Sequence, residues 1–289
     1  MVIMAAPLIL ASLGGLITYH AGIINVAMEG LILAGAFAAV TFSYMYSSWF
    51  AGVVAAIIVG ILFSLLYSLF VTTLKSDNFA IGFAMNIFIE SATVYLTRVL
   101  FVGENAFNSP KIQAIPALNI NFGANILNVL LSKYSILVYI AVVLSFAVSY
   151  MIFKTPYGLW LRAAGSYPEA LSTAGKKVGL TQYGASILAG ILCGLAGAQL
   201  SLSNVVMFNR GMSGGRGFMC LAIILIAQGR PKTVLILSIV FGMFEALSIQ
   251  LKSTDIPSQF LTMFPYIMAI CTLILLQARR GHTLKAEQE

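Results

Sequence analysis

Apolar residues in this chain run on for about 20 positions at a time, the length a helix needs to cross a hydrocarbon core. Such runs cover 2–19, 26–46, 49–74, 79–101, 134–153, 183–205, 232–251 and 257–277. A further segment, "FMCLAIILIAQ" at 218–228, is apolar but short for a full crossing. It reads as a broken or re-entrant helix, which is tolerated only where protein or a cavity surrounds its ends. The pattern predicts an all-α membrane protein, a polytopic helical bundle of about 8–10 spans with one short or re-entrant segment.

Composition agrees with the pattern. Of 289 residues, 60% are hydrophobic and 9% charged, against about 25% charged in a soluble domain. No polar stretch reaches the roughly 50 residues of a separate soluble domain. Residues 1–289 therefore read as a single transmembrane domain with two long loops, 102–133 and 154–182. The first apolar run lacks a basic leader and a cleavage site, so it reads as a retained span.

The net charge of +7 is spread singly between apolar runs, which fits membrane topology and not a nucleic-acid face. One set of connections holds Lys75, Lys154, Arg162, Lys176, Lys177, Arg230, Lys232, Arg279, Arg280 and Lys285. The opposite set holds Lys111, Lys133, Arg210, Arg216 and Lys252. The positive-inside rule puts 154–182 and the C-terminus in the cytoplasm, and the N-terminus and 102–133 outside. This scheme requires 218–228 to change side. Cys193, Cys220 and Cys271 show no C-x-x-C spacing, and the two histidines are far apart, so no metal site and no catalytic set is expected.

The inner loop reads "KTPYGLWLRAAGSYPEALSTAGKKVGL". Pro168 suits a first helical position, Glu169 complements the helix dipole, and Gly175 before Lys176 and Lys177 reads as a stop. A helix over 168–174 is expected there. "ALSTAGKK" (170–177) fails as a phosphate loop, since Ala170 stands where glycine is needed and Lys177 where Ser/Thr is needed. Any ATP-derived energy must come through another chain.

Polar residues inside the spans carry the candidate chemistry, because a charge at mid-bilayer costs ~2.5–3.5 kcal/mol even on the lenient scale. Asn25 and Glu29 bracket a helix start, with Asn25 as N-cap and Glu29 in the first turn. Glu29 either pins that helix end or faces a solute. Asn86, Glu90, Thr93 and Thr97 recur at +4, +7 and +11, one helical stripe that either lines a polar path or bonds a neighbouring helix. Glu245 and Gln250 lie in "FGMFEALSIQLK", where Glu245 can form an ion pair to Arg98 or Arg216. In "NRGMSGGRGF" (209–218), Gly214 and Gly215 permit unwound backbone between Arg210 and Arg216. Glu29-Gly30 and Arg216-Gly217 each precede an apolar helix from opposite sides, the mark of an inverted repeat. Small residues at 190, 194 and 197–198 mark close helix packing.

Several stretches together carry a resemblance: "GIINVAMEGLILAGAFAA" (22–39), "TPYGLWLRAAGSYPEALSTAGKKVGL" (155–180), "AGILCGLAGAQLSL" (189–202), "GMSGGRGFMCLAI" (211–223), "GRP" (229–231) and "FPY" (264–266). The chain resembles the permease subunit of bacterial ABC importers, in the branch serving branched-chain amino acids, simple sugars and nucleosides, and is most similar to its nucleoside-type members. The resemblance matches G-x-x-N-x-x-x-E-G at Gly22, Asn25, Glu29 and Gly30. It matches E-A-A-x-x-x-G at 169–175, with Leu171 in place of the second alanine. It implies that the inner-loop helix docks on an ATPase through Arg162, Gly165, Glu169, Ala170 and Gly175. It also implies an acid at Glu245, which with Gln250 would form a second polar wall beside the ion-pair alternative, whereas Glu90 is a departure that would tune substrate choice. The implied setting is a bacterial plasma membrane with surrounding lipid, ABC ATPase subunits that carry ATP and Mg, an extracytoplasmic solute-binding protein, and a second, paralogous permease. No cofactor is expected on this chain. The implied solute is a nucleoside or related purine, then a simple sugar or branched-chain amino acid. A proton-coupled secondary transporter using Glu29, Glu90 or Glu245 is the rival, and it leaves the inner loop unexplained.

Overall fold

The computed structural model describes residues 2–101, 106–118 and 134–251. Seven helices there are long and apolar enough to cross a membrane. They are α1 (Val2–His20), α2 (Met28–Tyr46), α3 (Trp49–Ser68, prolonged by a π-helical turn Leu69–Thr73), α4 (Asn78–Leu100), α5 (Ile136–Lys154), α8 (Val178–Gln199, prolonged by a π-helical turn Leu200–Val205) and α10 (Pro231–Leu251). Between them lie α6 (Pro156–Ser166), α7 (Pro168–Thr173) and α9 (Arg216–Ala227). The expected span 257–277 lies outside the described residues, as do "FPY" and most of the loop 102–133.

Local chemistry sets several helix starts. Asp77 accepts from the N–H groups of Phe79 and Ala80 (3.0 and 2.9 Å) and so caps α4. Thr155 accepts from Gly158 N–H at 3.2 Å, and Pro156 occupies the first turn of α6. That helix was not expected from the sequence, although Thr-Pro is its start signal. The expected helix at 168–174 is present as α7, with Glu169 in its first turn and Gly175 just past its end at φ +75°.

α1, α2 and α8 are buried over most of their length, while α3, α4, α5 and α10 turn a face outward. Glycines allow the central helices to touch backbone to backbone. A Cβ at Gly35 would lie 2.9 Å from Gly194 Cα, and one at Gly194 would strike Ala56 O. The small residues at 190–198 therefore pack α8 against α2 and α3.

The two ends of the bundle differ. At one end α6 and α7 lie beside the end of α1, where the His20 ring Nε2 meets Gly229 O at 2.8 Å. At the other, β1 (Ala106–Phe107) pairs antiparallel with β4 (Phe208–Asn209), and β2 (Ala117–Leu118) with β3 (Tyr134–Ser135).

The segment expected to be broken or re-entrant is a glycine-rich loop followed by a short helix. From β4 the chain passes through a glycine-rich loop, with Gly211, Gly214 and Gly215 all at positive φ. α9 then takes over for 12 residues, about 18 Å at 1.5 Å per residue. It ends at Ala227, and Gly229 just beyond lies beside Tyr19 and His20. The segment thus runs from the end of the bundle that carries β4 towards the end that carries His20.

Candidate functional site

α2 and α9 begin face to face in the interior. A turn through Gly22, at φ +81°, leads from α1 into α2. Asn25 Oδ1 accepts from Ala27 N–H at 3.1 Å, within that turn. The residue at the cap position is Ala27, so Asn25 shapes the approach and is not the N-cap expected. The reason is two further residues of turn before the first helical hydrogen bond.

Glu29 does lie in the first turn of α2. Its Oε1 accepts from Gly215 N–H and its Oε2 from Gly217 N–H, both at 2.7 Å. These are donors that the start of α9 leaves unsatisfied. Gly217 permits the approach, since a Cβ there would strike the Glu29 backbone. Next to it, Gly30 N–H donates to Asn86 Oδ1 at 2.8 Å, and Asn86 Nδ2 donates to Val26 O at 3.0 Å. Each helix start carries roughly half a positive charge, so two of them about balance one carboxylate. This is how a glutamate is held between apolar helices.

The loop before α9 is held from its other side. The Arg216 guanidinium pairs with the Glu245 carboxylate of α10, and its Nη1 donates to Met212 O (2.8 Å) and Ser213 O (3.1 Å). Glu245 is thus a structural anchor in this geometry and not part of the wall it was expected to form; the competing ion pair is the one present, to Arg216. Gln250 is exposed on α10, and Arg210 is exposed on the loop, neither facing the interior.

Between α2, α4 and the glycine loop lies a cavity of about 410 Å³. Glu29, Gly30, Leu33, Phe83, Asn86, Ile87, Glu90, Gly211, Ser213, Gly214, Gly215 and Phe218 line it. The sequence had pointed to six of these: Glu29, Gly30, Asn86, Glu90, Gly214 and Gly215. It had not pointed to Phe83 and Phe218, whose rings stack with centroids 5.9 Å apart and planes at 28°. Phenylalanine in an apolar helix carries no signal that separates a lining ring from a lipid-facing one.

The α4 stripe divides. Asn86 and Glu90 line the cavity, but Thr93 and Thr97 turn away and donate back to their own helix, to Glu90 O (2.9 Å) and Thr93 O (2.6 Å). Thr93 instead lines a separate apolar pocket with Phe63, Ile89 and Ala92.

The inner-loop residues also divide. Arg162 lies over the Phe153 ring at 5.3 Å, and Gly165 packs against His20 O and the Gly22 backbone. Both face the bundle. Glu169, Ala170 and Gly175 are exposed on and after α7. Among the described residues no three His, Cys, Asp or Glu side chains gather closely enough to hold a metal ion.

Comparison with known proteins bears on this arrangement. A family model described as the branched-chain amino acid transport system permease component matches residues 1–273. The nucleoside ABC transporter permease protein NupC of Lactococcus lactis is 29% identical, over 95% of this chain and 90% of the relative. The guanosine ABC transporter permease protein NupQ of Bacillus subtilis is 28% identical, over 93% of this chain and 88% of the relative. No solved structure matches. A chain with seven long apolar helices among its described residues, with a polar cavity where two helix starts meet and a family match over nearly its whole length, belongs to the permease components of the branched-chain amino acid transport system family.

Proposed function

We propose that this chain is the membrane-spanning subunit of an ATP-driven importer of nucleosides. The observation that carries the reading is the cavity at the meeting of α2 and α9, set in a chain that aligns with nucleoside permeases over most of its length. Its volume lies within the ~300–1,000 Å³ of small-molecule sites. Its polar lining comes from Glu29, Asn86, Glu90, Ser213 and the backbone of the glycine loop.

The partners follow from what the chain exposes. α4 presents Glu90 on an outward-facing helix, a charge that lipid alone does not accommodate. A second permease, a paralogue of this one, closes the path there. α7 offers Glu169, Ala170 and Gly175 to an ATPase, which holds ATP and Mg and supplies the energy. The end carrying β1 and β4 faces a solute-binding protein outside. The chain lies in a bacterial plasma membrane, with its N-terminus outside and its C-terminus in the cytoplasm.

The test is uptake of radiolabelled nucleosides and simple sugars by cells expressing the chain with its neighbouring ATPase, with and without Glu169→Arg. Nucleoside uptake is expected, and the variant is expected to lose it while still inserting. Sugar uptake without nucleoside uptake would overturn the solute. Uptake that survives loss of the ATPase and collapses with the proton gradient would establish the secondary-transporter reading instead.

A further inference from the structure

The charges around the cavity balance, with one exception. Glu29 is met by two helix starts and two N–H donors. Arg216 and Glu245 neutralise each other. Glu90 lies near the middle of α4, lines the cavity, and its carboxylate has no hydrogen-bond or ion-pair partner among the described residues. The carboxylate is directed at the glycine loop: a Cβ at Gly211 would sit 3.9 Å from its Oε1. A carboxylate that lines the cavity and has no partner within the described residues is available to a ligand held there.

We propose that Glu90 selects the base of the solute by accepting two adjacent N–H groups from its edge, and so favours guanine nucleosides over the others. The inference rests on the nucleoside reading above. An ionised carboxylate only accepts, and its two oxygens take a pair of parallel donors in the bidentate manner. Guanine presents such a pair, N1–H beside the N2 amino group. Adenine and cytosine each present a donor beside an acceptor, and uracil flanks its single N–H with two carbonyls. Their acceptor atoms would face carboxylate lone pairs, which makes the residue repel them as well as attract guanine. Phe83 and Phe218 provide aromatic surface in the same cavity, which suits stacking on a flat base. The ribose hydroxyls are then left to the polar backbone of Gly211–Gly215.

The measurement is the initial rate of uptake into proteoliposomes containing the complete complex, with the solute-binding protein saturated by each solute so that delivery is matched. Guanosine, inosine, 2′-deoxyguanosine and adenosine are compared for the unaltered protein, Glu90→Gln and Glu90→Asp. Inosine lacks only the 2-amino group, and 2′-deoxyguanosine lacks only part of the ribose diol. Guanosine and 2′-deoxyguanosine are expected to exceed inosine and adenosine by about tenfold or more, the usual effect of losing a hydrogen bond to a charged group. Glu90→Gln should abolish that gap, and Glu90→Asp should keep part of it. A deficit for 2′-deoxyguanosine in place of inosine would assign Glu90 to the ribose and overturn the proposal. So would a uniform fall for all four solutes, an unchanged ratio, or loss of the second permease from complexes of Glu90→Gln. If the unaltered complex moves adenosine but not guanosine, the base preference fails while nucleoside import stands. If it moves no nucleoside, the underlying reading fails.

Discussion

Glu29 and Arg216 show how single residues carry charge through an apolar interior. Each Glu29 oxygen satisfies one backbone N–H at the start of α9, so Glu29→Ala would strand both groups where water is scarce. A buried donor left without a partner costs about 1–3 kcal/mol, and two are affected. Thermal unfolding of the purified protein in detergent should show a clear loss for Glu29→Ala and an intermediate one for Glu29→Gln, which keeps one acceptor oxygen. Equal stability of all three forms would remove Glu29 from this role. The Arg216–Glu245 pair calls for a double-mutant cycle. Arg216→Met or Glu245→Leu alone leaves a buried charge, at about 3–5 kcal/mol each, whereas the double variant should recover most of that loss. Full recovery is not expected, because Arg216 also donates to Met212 O and Ser213 O. That Glu29 belongs to a helix start was legible from its spacing after Asn25. Its partners were not, since Gly215 and Gly217 lie 186 and 188 residues further on and act through backbone groups that every residue possesses.

At the level of elements, the close approach of α6 to the turn between α1 and α2 joins the loop 154–182 to the cavity. Gly165 rests on His20 O, and the turn that begins there ends at Glu29 and Gly30. Gly165→Val would push α6 off this turn without touching the exposed face of α7. Nucleoside uptake should fall at least about tenfold, with insertion unchanged and the ATPase still co-purifying, if the contact transmits movement between packed elements. Uptake at the unaltered level would make the contact mere packing. The α4 stripe shows the limit of periodicity at this scale. Asn86, Glu90, Thr93 and Thr97 share one helical face in the sequence, yet Thr93 and Thr97 satisfy their hydroxyls on their own helix. Spacing places side chains on a face; the neighbour packed on that face decides whether it is wet or dry.

Across the whole molecule, the glycine loop and α9 run from the end that carries β4 towards the end that carries His20, which implies which loops share a side. Glu169 on α7 and Ser109 near β1 lie at opposite ends of the bundle. With Cys271 replaced by serine, the remaining Cys193 and Cys220 are buried. Single cysteines at positions 169 and 109 should then react with an impermeant maleimide from opposite faces of the membrane, position 169 from the cytoplasmic face only. Labelling of both from one face would contradict this course of the chain, and reversal of the two would invert the charge-based orientation.

Long apolar runs and scattered cations were enough to define a helical membrane protein. These properties follow from composition and local length, because a bilayer imposes the same requirements on any chain. Spans, the inner-loop helix and the polar positions within helices were therefore readable in one dimension. The pairing of Glu29 with the start of α9, the choice of Arg216 for Glu245, and the dry fate of Thr93 were decided by packing. So was the conversion of Phe83 and Phe218 into cavity walls. Each depends on which helices meet and how closely, and small residues such as Gly30 and Gly217 set that distance only once two distant segments have come together.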